Sequence, residues 1–327
     1  MPYDGGTKAL ALVTDIACWS SLEAEPYQPL SWSGCGPCPF QTRCWTAAEV
    51  RKDPSLVLDV DKGLARALHD QGIFNWDDLL AGFDSATLSE FRRPYGSRMQ
   101  RVGKKAERIL LSARALAENG AIWLSAPEIP PGPDWVMFDL EGFPPQLHDD
   151  QQVFLWGMQV FGEHPGEYIG ALPDVGADGD RIGWERFLTA AEALLDRYGD
   201  ISFVHWDRYE RDRLGKYIAR FGDRHDVAAR VQRNLFDLLR AVEGSVVLPL
   251  PSYSLKVVEG YVGYQRTLEG AGGDWAMASY FQAAESENRA EAERLIDEVC
   301  RYNREDLEAT WAVLRWVREH ASPMRSP

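Results

Sequence analysis

In the run FDLEG, Asp139 and Glu141 stand two residues apart within an apolar stretch. Alternate side chains of an extended strand share a face, so this spacing predicts two carboxylates on one side of a sheet. Flanked by Val136, Met137, Phe138 and Leu140, such a pair is costly to bury unpaired, and mutual repulsion raises one of the two pKa values. A divalent cation removes that cost. Further on, ISFV leads into His205-Trp-Asp-Arg-Tyr209-Glu210, and a helical run near the C-terminus carries Tyr302-Asn-Arg-Glu-Asp306. Tyr302 and Asp306, four residues apart, fall on one helical face. A phenol beside a metal-bound carboxylate can hold the water that attacks phosphorus.

Sulfur forms the second group. Cys35, Cys38 and Cys44 spell C-x2-C-x5-C, and Cys18 lies upstream as a fourth ligand. Soft thiolates at this density, in a chain read as cytosolic, point to a metal rather than to disulfides. The spacing differs from common zinc fingers, which pair C-x2-4-C with a second Cys or His pair, so a [4Fe-4S] cluster, Zn²⁺ and free thiols all stay open. Cys300, alone on an expected helix, reads as a small buried apolar residue. The third group is basic. Between Phe91 and Glu118 eight Lys or Arg face only Glu107 and Glu118, inverting the sign of a chain whose formal net charge is -15. In RVGKKAERIL, Gly103 permits a tight turn, the amides of the following helix can take a phosphate, and Lys104 and Lys105 assist. The same residues also read as an ordinary solvated helix end.

These groups need elements to hold them. With 327 residues, 45% of them apolar, the chain suits two or three domains with sizeable cores. The cysteine-rich residues 1–52 form one module, and residues 53–120, with apolar positions three and four apart, a helical one. APEIPPGPDW, with four prolines in ten residues, predicts a linker over 121–133. From residue 134 to 327 strands alternate with helices: a hairpin from WVMFDLEGF and QQVFLWGMQVFG, a third strand in GEYIGAL, a helix at about 184–197 and a strand in ISFVHW, followed by further helices. The fold class is α/β, a mixed sheet flanked by helices.

The order of a strand DxE, a second acid after the next strand and Y-x-x-x-D on a helix resembles the DEDD exonucleases of the ribonuclease H-like superfamily. More narrowly it is similar to the YprB-type exonucleases found downstream of RecB-like nuclease modules. The resemblance covers about residues 134–320. It implies a 3′ to 5′ exonuclease of the tyrosine variant, with Asp139, Glu141, Glu210 and Asp306 holding two Mg²⁺ or Mn²⁺ ions and Tyr302 orienting the water. His205, Tyr209 and Glu210 stand where that family has Asn, Phe and Asp. Glu210 is therefore one methylene longer than usual, with Asp207 as a nearby substitute. Lys256, in the family's middle region, would meet a backbone phosphate, or be a solvated helix lysine. The cysteines are similar to those of iron–sulfur RecB-like nucleases and residues 53–120 to a helix-hairpin-helix. The few residues ahead of Cys18 leave no room for a RecB-like domain, so the module reads as a structural clip.

The implied partner is nucleic acid, DNA ahead of RNA, with a protein partner in a repair or defence complex as a further expectation. The acidic total excludes a protein that coats nucleic acid by bulk electrostatics. No apolar run reaches the roughly 20 residues that cross a bilayer, and MPYDGGTK lacks signal-peptide features, so no membrane association and a cytoplasmic location are expected. Two rival readings remain: a catalytically weak nucleic-acid-binding or scaffold subunit, and a zinc-ribbon adaptor with an incidental acidic sheet.

Overall fold

The computed structural model describes residues 5–35, 38–143, 152–173, 178–268 and 270–321. The chain divides into two compact units, Met1–Asn119 and Gly120–Pro327. Among the described residues no helix is long and apolar enough to cross a membrane.

The first unit is helical except for one hairpin. Its helices are α1 (Thr7–Ser20), α2 (Trp32–Cys35), α3 (Gln41–Arg51), α4 (Lys62–His69), α5 (Trp76–Gly82), α6 (Ser85–Glu90) and α7 (Ala106–Glu118). Short polar side chains start several of them. Asp61 accepts from the Gly63 and Leu64 amides, Asn75 from Asp78, and Asp84 and Thr87 form a reciprocal capping box. One core joins Leu30 and Ala48 of the cysteine-rich segment to Leu64, Leu68, Leu79 and Ile109, so both sides of residue 52 share it.

The expected all-helical character of this region fails at residues 92–101, where β1 (Arg92–Tyr95) pairs antiparallel with β2 (Arg98–Arg101). Pro94 has no amide for a helix and disfavours helical geometry at Arg93, while Gly96, at φ 58°, supplies the turn.

The second unit is built on a five-stranded mixed sheet. Its strands are β4 (Asp134–Gly142), β5 (Val153–Gly162), β6 (Ile169–Ala171), β7 (Phe203–His205) and β8 (Leu235–Asp237), in the order β6-β5-β4-β7-β8. The β4–β5 and β5–β6 pairs are antiparallel, and β4–β7 and β7–β8 are parallel. The strands expected in WVMFDLEGF, QQVFLWGMQVFG, GEYIGAL and ISFVHW are all present. The turn of the expected hairpin lies outside the described residues, and β8 went unread because LFD is too short to show alternation. The expected linker holds a short strand, β3 (Ile122–Trp123), paired with β9 (Val246–Val247).

Helices cover both faces. Even-numbered residues of β4, Val136, Phe138 and Leu140, pack into a core with Trp184, Phe187 and Leu195 of α8 (Gly179–Tyr198), Leu214 and Tyr217 of α9 (Tyr209–Phe221) and Val231 of α10 (Val227–Arg233). Two shorter helices follow, α11 (Leu238–Ser245) and α12 (Leu255–Tyr261). On the opposite face Phe143, Phe154 and Leu155 meet α13 (Gly273–Glu285) and α14 (Arg289–His320), the latter 32 residues long. The odd-numbered residues of β4, including both acids, therefore point at α14.

Tyr217 ties the first face together. Its hydroxyl accepts from the Val153 amide at 2.7 Å and donates to Asp180, which also holds Arg220 at 2.6 Å. Tyr217→Phe leaves a buried amide and carboxylate short of a partner, at a cost of about 1–3 kcal/mol. The expected result is a melting temperature lower by roughly 2–4 °C per kcal/mol, measured by thermal unfolding. An unchanged value would contradict the role given to this hydroxyl.

Candidate active site

The site begins with strand register. Asp139 lies opposite Gly157 on β5, and Glu141 opposite Leu155. Because Gly157 has no side chain, the Asn303 amide from α14 fills the space over it, and a Cβ at 157 would collide with that amide. Asn303 Nδ2 donates to Asp139 Oδ2 at 2.6 Å, and its Oδ1 accepts from Tyr168 at 3.0 Å. The donor fixes the Asp139 carboxylate without neutralising it.

The third acid comes from the same helix. Along α14 the buried positions Leu295, Val299, Tyr302, Asp306, Thr310, Val313 and Val317 recur at a spacing of three and four, and Asn303, Glu305, Leu307, Ala309 and Leu314 broaden the covered side. Its polar members stand over the two acids of β4. Asp139, Glu141 and Asp306 each offer a carboxylate oxygen, all within 4.8 Å of one another, and among the described residues this is the one such group of three or more.

Three carboxylates so close cannot all be ionised in a protein interior without a counter-charge. Burial first, and then the charges of Asp306, Glu141 and Glu210, push Asp139 well above the usual carboxylate range. Glu141 is pushed up to about 8, by burial and then by Asp306. Asp306 is also raised by burial, which Arg266 opposes. Arg266 Nη2 donates to Asp306 at 2.5 Å while its Nε and Nη2 grip Glu259 at 2.6 and 2.7 Å, so the guanidinium spans two buried acids. One arginine shared with Glu259 leaves the three-acid cluster short of positive charge. Hard oxygen donors at this separation fit Mg²⁺ or Mn²⁺.

Tyr302 is buried above the cluster, in an edge-on contact with Trp275. Burial and the nearby Asp306, Glu141 and Asp139 raise its pKa, so the phenol keeps its proton. Lys256 Nζ lies 5.3 Å from the Tyr302 ring centroid and donates to the Ala271 carbonyl at 2.7 Å, and its charge also lowers Glu141 and Asp306.

Glu210, in the first turn of α9, stands apart from the three. It is 2% exposed, and its Oε2 lies 3.2 Å from Nδ1 of His205, itself fully buried at the end of β7. Neither of these atoms makes an aligned hydrogen bond. Asp207 is exposed, at φ 76°. The Tyr209 hydroxyl lies over Gly142, where a Cβ would collide with it.

The other expected site residues belong to the first unit. Gly103, at φ 61°, opens a single 3-10 turn into α7, and Lys105 is paired with Asp59 at 2.6 Å, while Lys104 points to solvent unpaired. Cys18 is exposed on α1, whereas Cys35, Cys38 and Cys44 are half-buried around α2 and α3. Among the described residues no three of the cysteines bring their sulfurs within 4.8 Å of one another, so as placed they do not form the tight thiolate cage of a single zinc ion. Sequence reasoning missed Asn303, Gly157 and Arg266. Asn303 carried a signal, a polar residue on the buried stripe beside Tyr302, but nothing local to Arg266 or Gly157 marks either.

A family model, RNase_H_2 of the RNase_H superfamily, matches residues 136–318. No curated protein and no solved structure matches the chain.

The cluster makes stability depend on pH and on cations. Glu141 has an ordinary value of 4.5 and is raised to about 8 in the fold. For an acid raised in this way, its contribution to stability is complete below the unfolded value and is lost as pH climbs toward the folded one. In EDTA the melting temperature should therefore fall between about pH 5 and pH 8. Mg²⁺ or Mn²⁺, which needs the deprotonated groups, should raise it more at pH 8 than at pH 5. Fluorimetric melts at both pH values check this, and a cation effect that is equal at both or absent would contradict the assignment.

Proposed function

Because the chain belongs to the RNase_H superfamily, whose domain supports a nuclease-type phosphodiester hydrolase, we propose that it is a metal-dependent 3′ to 5′ exonuclease of the tyrosine DEDD type. The observation that carries this reading is the convergence of Asp139, Glu141 and Asp306 within 4.8 Å, one helical turn from Tyr302. Divalent ions held there would supply Lewis acidity to the attacking water and the leaving oxygen, and two ions about 4 Å apart suit an in-line displacement.

The chain's own residues do the positioning. Asn303 holds Asp139 in one rotamer, and Arg266 holds Asp306. The Tyr302 phenol, kept protonated, orients the nucleophilic water as a donor and does not act as a base. Lys256, beside Tyr302, would meet a backbone phosphate. For Glu210 to complete the ligand set, its side chain must turn from His205 toward Asp139, whose carboxyl already feels its charge.

Glu210's distance from the three, together with the Arg266 pairing of Asp306, favours one rival: a catalytically weak nucleic-acid-binding or scaffold subunit of a repair or defence complex. The cysteines enter as a clip. A structural iron–sulfur cluster or zinc would require Cys18, Cys35, Cys38 and Cys44 to converge.

Incubation with 3′-labelled single- and double-stranded DNA and RNA should release 5′-nucleotides with Mn²⁺ and none with EDTA. Asp139→Asn keeps the shape and removes a charge at the cation site. It should cut the rate on the order of 10³-fold or more while the protein stays folded. Near wild-type release by this variant, or none by the wild type, overturns the exonuclease reading and leaves the scaffold.

Elemental analysis of protein purified without oxygen tests the clip. Iron with a brown colour, or colourless zinc, is expected, with either lost in Cys38→Ser, and neither metal in the wild type sinks it.

A further inference from the structure

The β1–β2 hairpin is a basic, exposed feature of the first unit, and the site above makes no use of it. Its ten residues, Arg92 to Arg101, hold four arginines and no acid. The base is anchored. Arg93 pairs with Asp61 at 2.6 Å, the Pro94 carbonyl lies against Gly63 where a Cβ would collide with it, and the Val102 amide donates to Phe91. The tip is open, with every residue from Pro94 to Arg101 exposed.

The hairpin concentrates basic groups that lack carboxylate partners. Elsewhere in the unit Lys52, Arg43 and Lys105 have carboxylate partners, while Lys104 stands alone. Arg92 and Arg98 have no hydrogen-bond or ion-pair partner among the described residues. Arg101 has only the exposed Glu90 at 3.1 Å, a pairing of little strength in water.

The hairpin also shows an aromatic face. Cross-strand register pairs Tyr95 with Arg98, so both side chains share a face with Arg93. The Arg93 guanidinium sits 4.8 Å from the Tyr95 ring centroid, and the ring remains 63% exposed. Anchoring by Asp61 thus holds one side of the ring and leaves the rest to solvent, next to an unpaired guanidinium. A flat exposed ring beside a free guanidinium matches an unpaired nucleotide, whose base stacks while its phosphate takes the charge. An acidic peptide would satisfy the arginines but give the ring nothing to stack on. A duplex would offer phosphates but keep its bases stacked on one another.

We propose that the Arg92–Arg101 hairpin is a contact for single-stranded nucleic acid, in which a base stacks on Tyr95 and the adjoining phosphate meets Arg98. This inference rests on the nuclease reading for its choice of partner.

Two full-length variants separate the two contributions: Tyr95→Leu, which keeps an apolar side chain, and Arg98→Ala. Binding is read by fluorescence anisotropy in EDTA, with a labelled oligothymidylate of about 20 nucleotides, the matching duplex and poly-glutamate as probes. Tyr95→Leu should weaken oligothymidylate binding roughly ten-fold with its salt slope unchanged. Arg98→Ala should lower the slope of log affinity against log salt by about 0.7, the value for one phosphate contact on a single strand. Melting temperatures should stay at the wild-type value. Wild-type affinity in both variants, equal losses on the duplex, equally tight poly-glutamate, or no oligothymidylate binding by the wild type each overturns the hairpin contact.

Mn²⁺-dependent release of nucleotides from the same oligonucleotide keeps this test apart from the catalytic one. Release by the wild type with unaltered binding in the variants removes the hairpin and leaves the nuclease. Variant-sensitive binding without any release removes the nuclease and leaves the hairpin.

Discussion

Repulsion among three partly dehydrated carboxylates is the constraint that organises the second unit. Asp139, Glu141 and Asp306 could not be held within 4.8 Å by apolar packing alone, since burial and like charge each disfavour ionisation. Every unusual feature nearby offsets that penalty. Asn303 supplies a neutral donor to one acid, Arg266 a shared guanidinium to another, and Lys256 a charge at the edge. None of these discharges the cluster fully. The fold thus supplies the stiffness of a fully packed sheet and helix, and leaves the charge for a cation to complete.

That stiffness depends on the sheet's alternation. One face of β4 is apolar and locked under α8, α9 and α10, so the strand cannot slip by one residue without driving Asp139 and Glu141 into the core. The aromatic packing of Phe138, Trp156 and Phe187 on one face therefore fixes where the carboxylates project on the other. Gly157 completes the arrangement by what it lacks. Directly opposite Asp139, it lets α14 approach closely enough for an amide to reach the acid.

Much of this was legible in the sequence because the strands of the sheet alternate or run apolar for long enough to be seen. DxE on a strand and Y-x-x-x-D on a helix carry their own geometry, two residues per strand repeat and four per helical turn, and the structure places both pairs accordingly. What could not be read depends on contacts between distant segments. Arg266 is an ordinary loop arginine until the fold sets it between Glu259 and Asp306, and Glu210's turn toward His205 follows from the end of β7. In the first unit, local pattern misled. The helical periodicity on either side of residues 92–101 hid a ten-residue hairpin whose signals are Pro94 and Gly96.

The bond from Asn303 to Asp139 joins residues 164 positions apart. On the ribosome, the strand bearing two of the acids emerges first and must wait for about 164 further residues before its amide donor, and then its third acid, exist. At about 5–20 residues per second that interval is roughly 8–33 s. Throughout it the nascent chain carries the two acids of β4 without the third member of the cluster. Any activity that depends on the three-acid cluster would then be withheld until α14 docks.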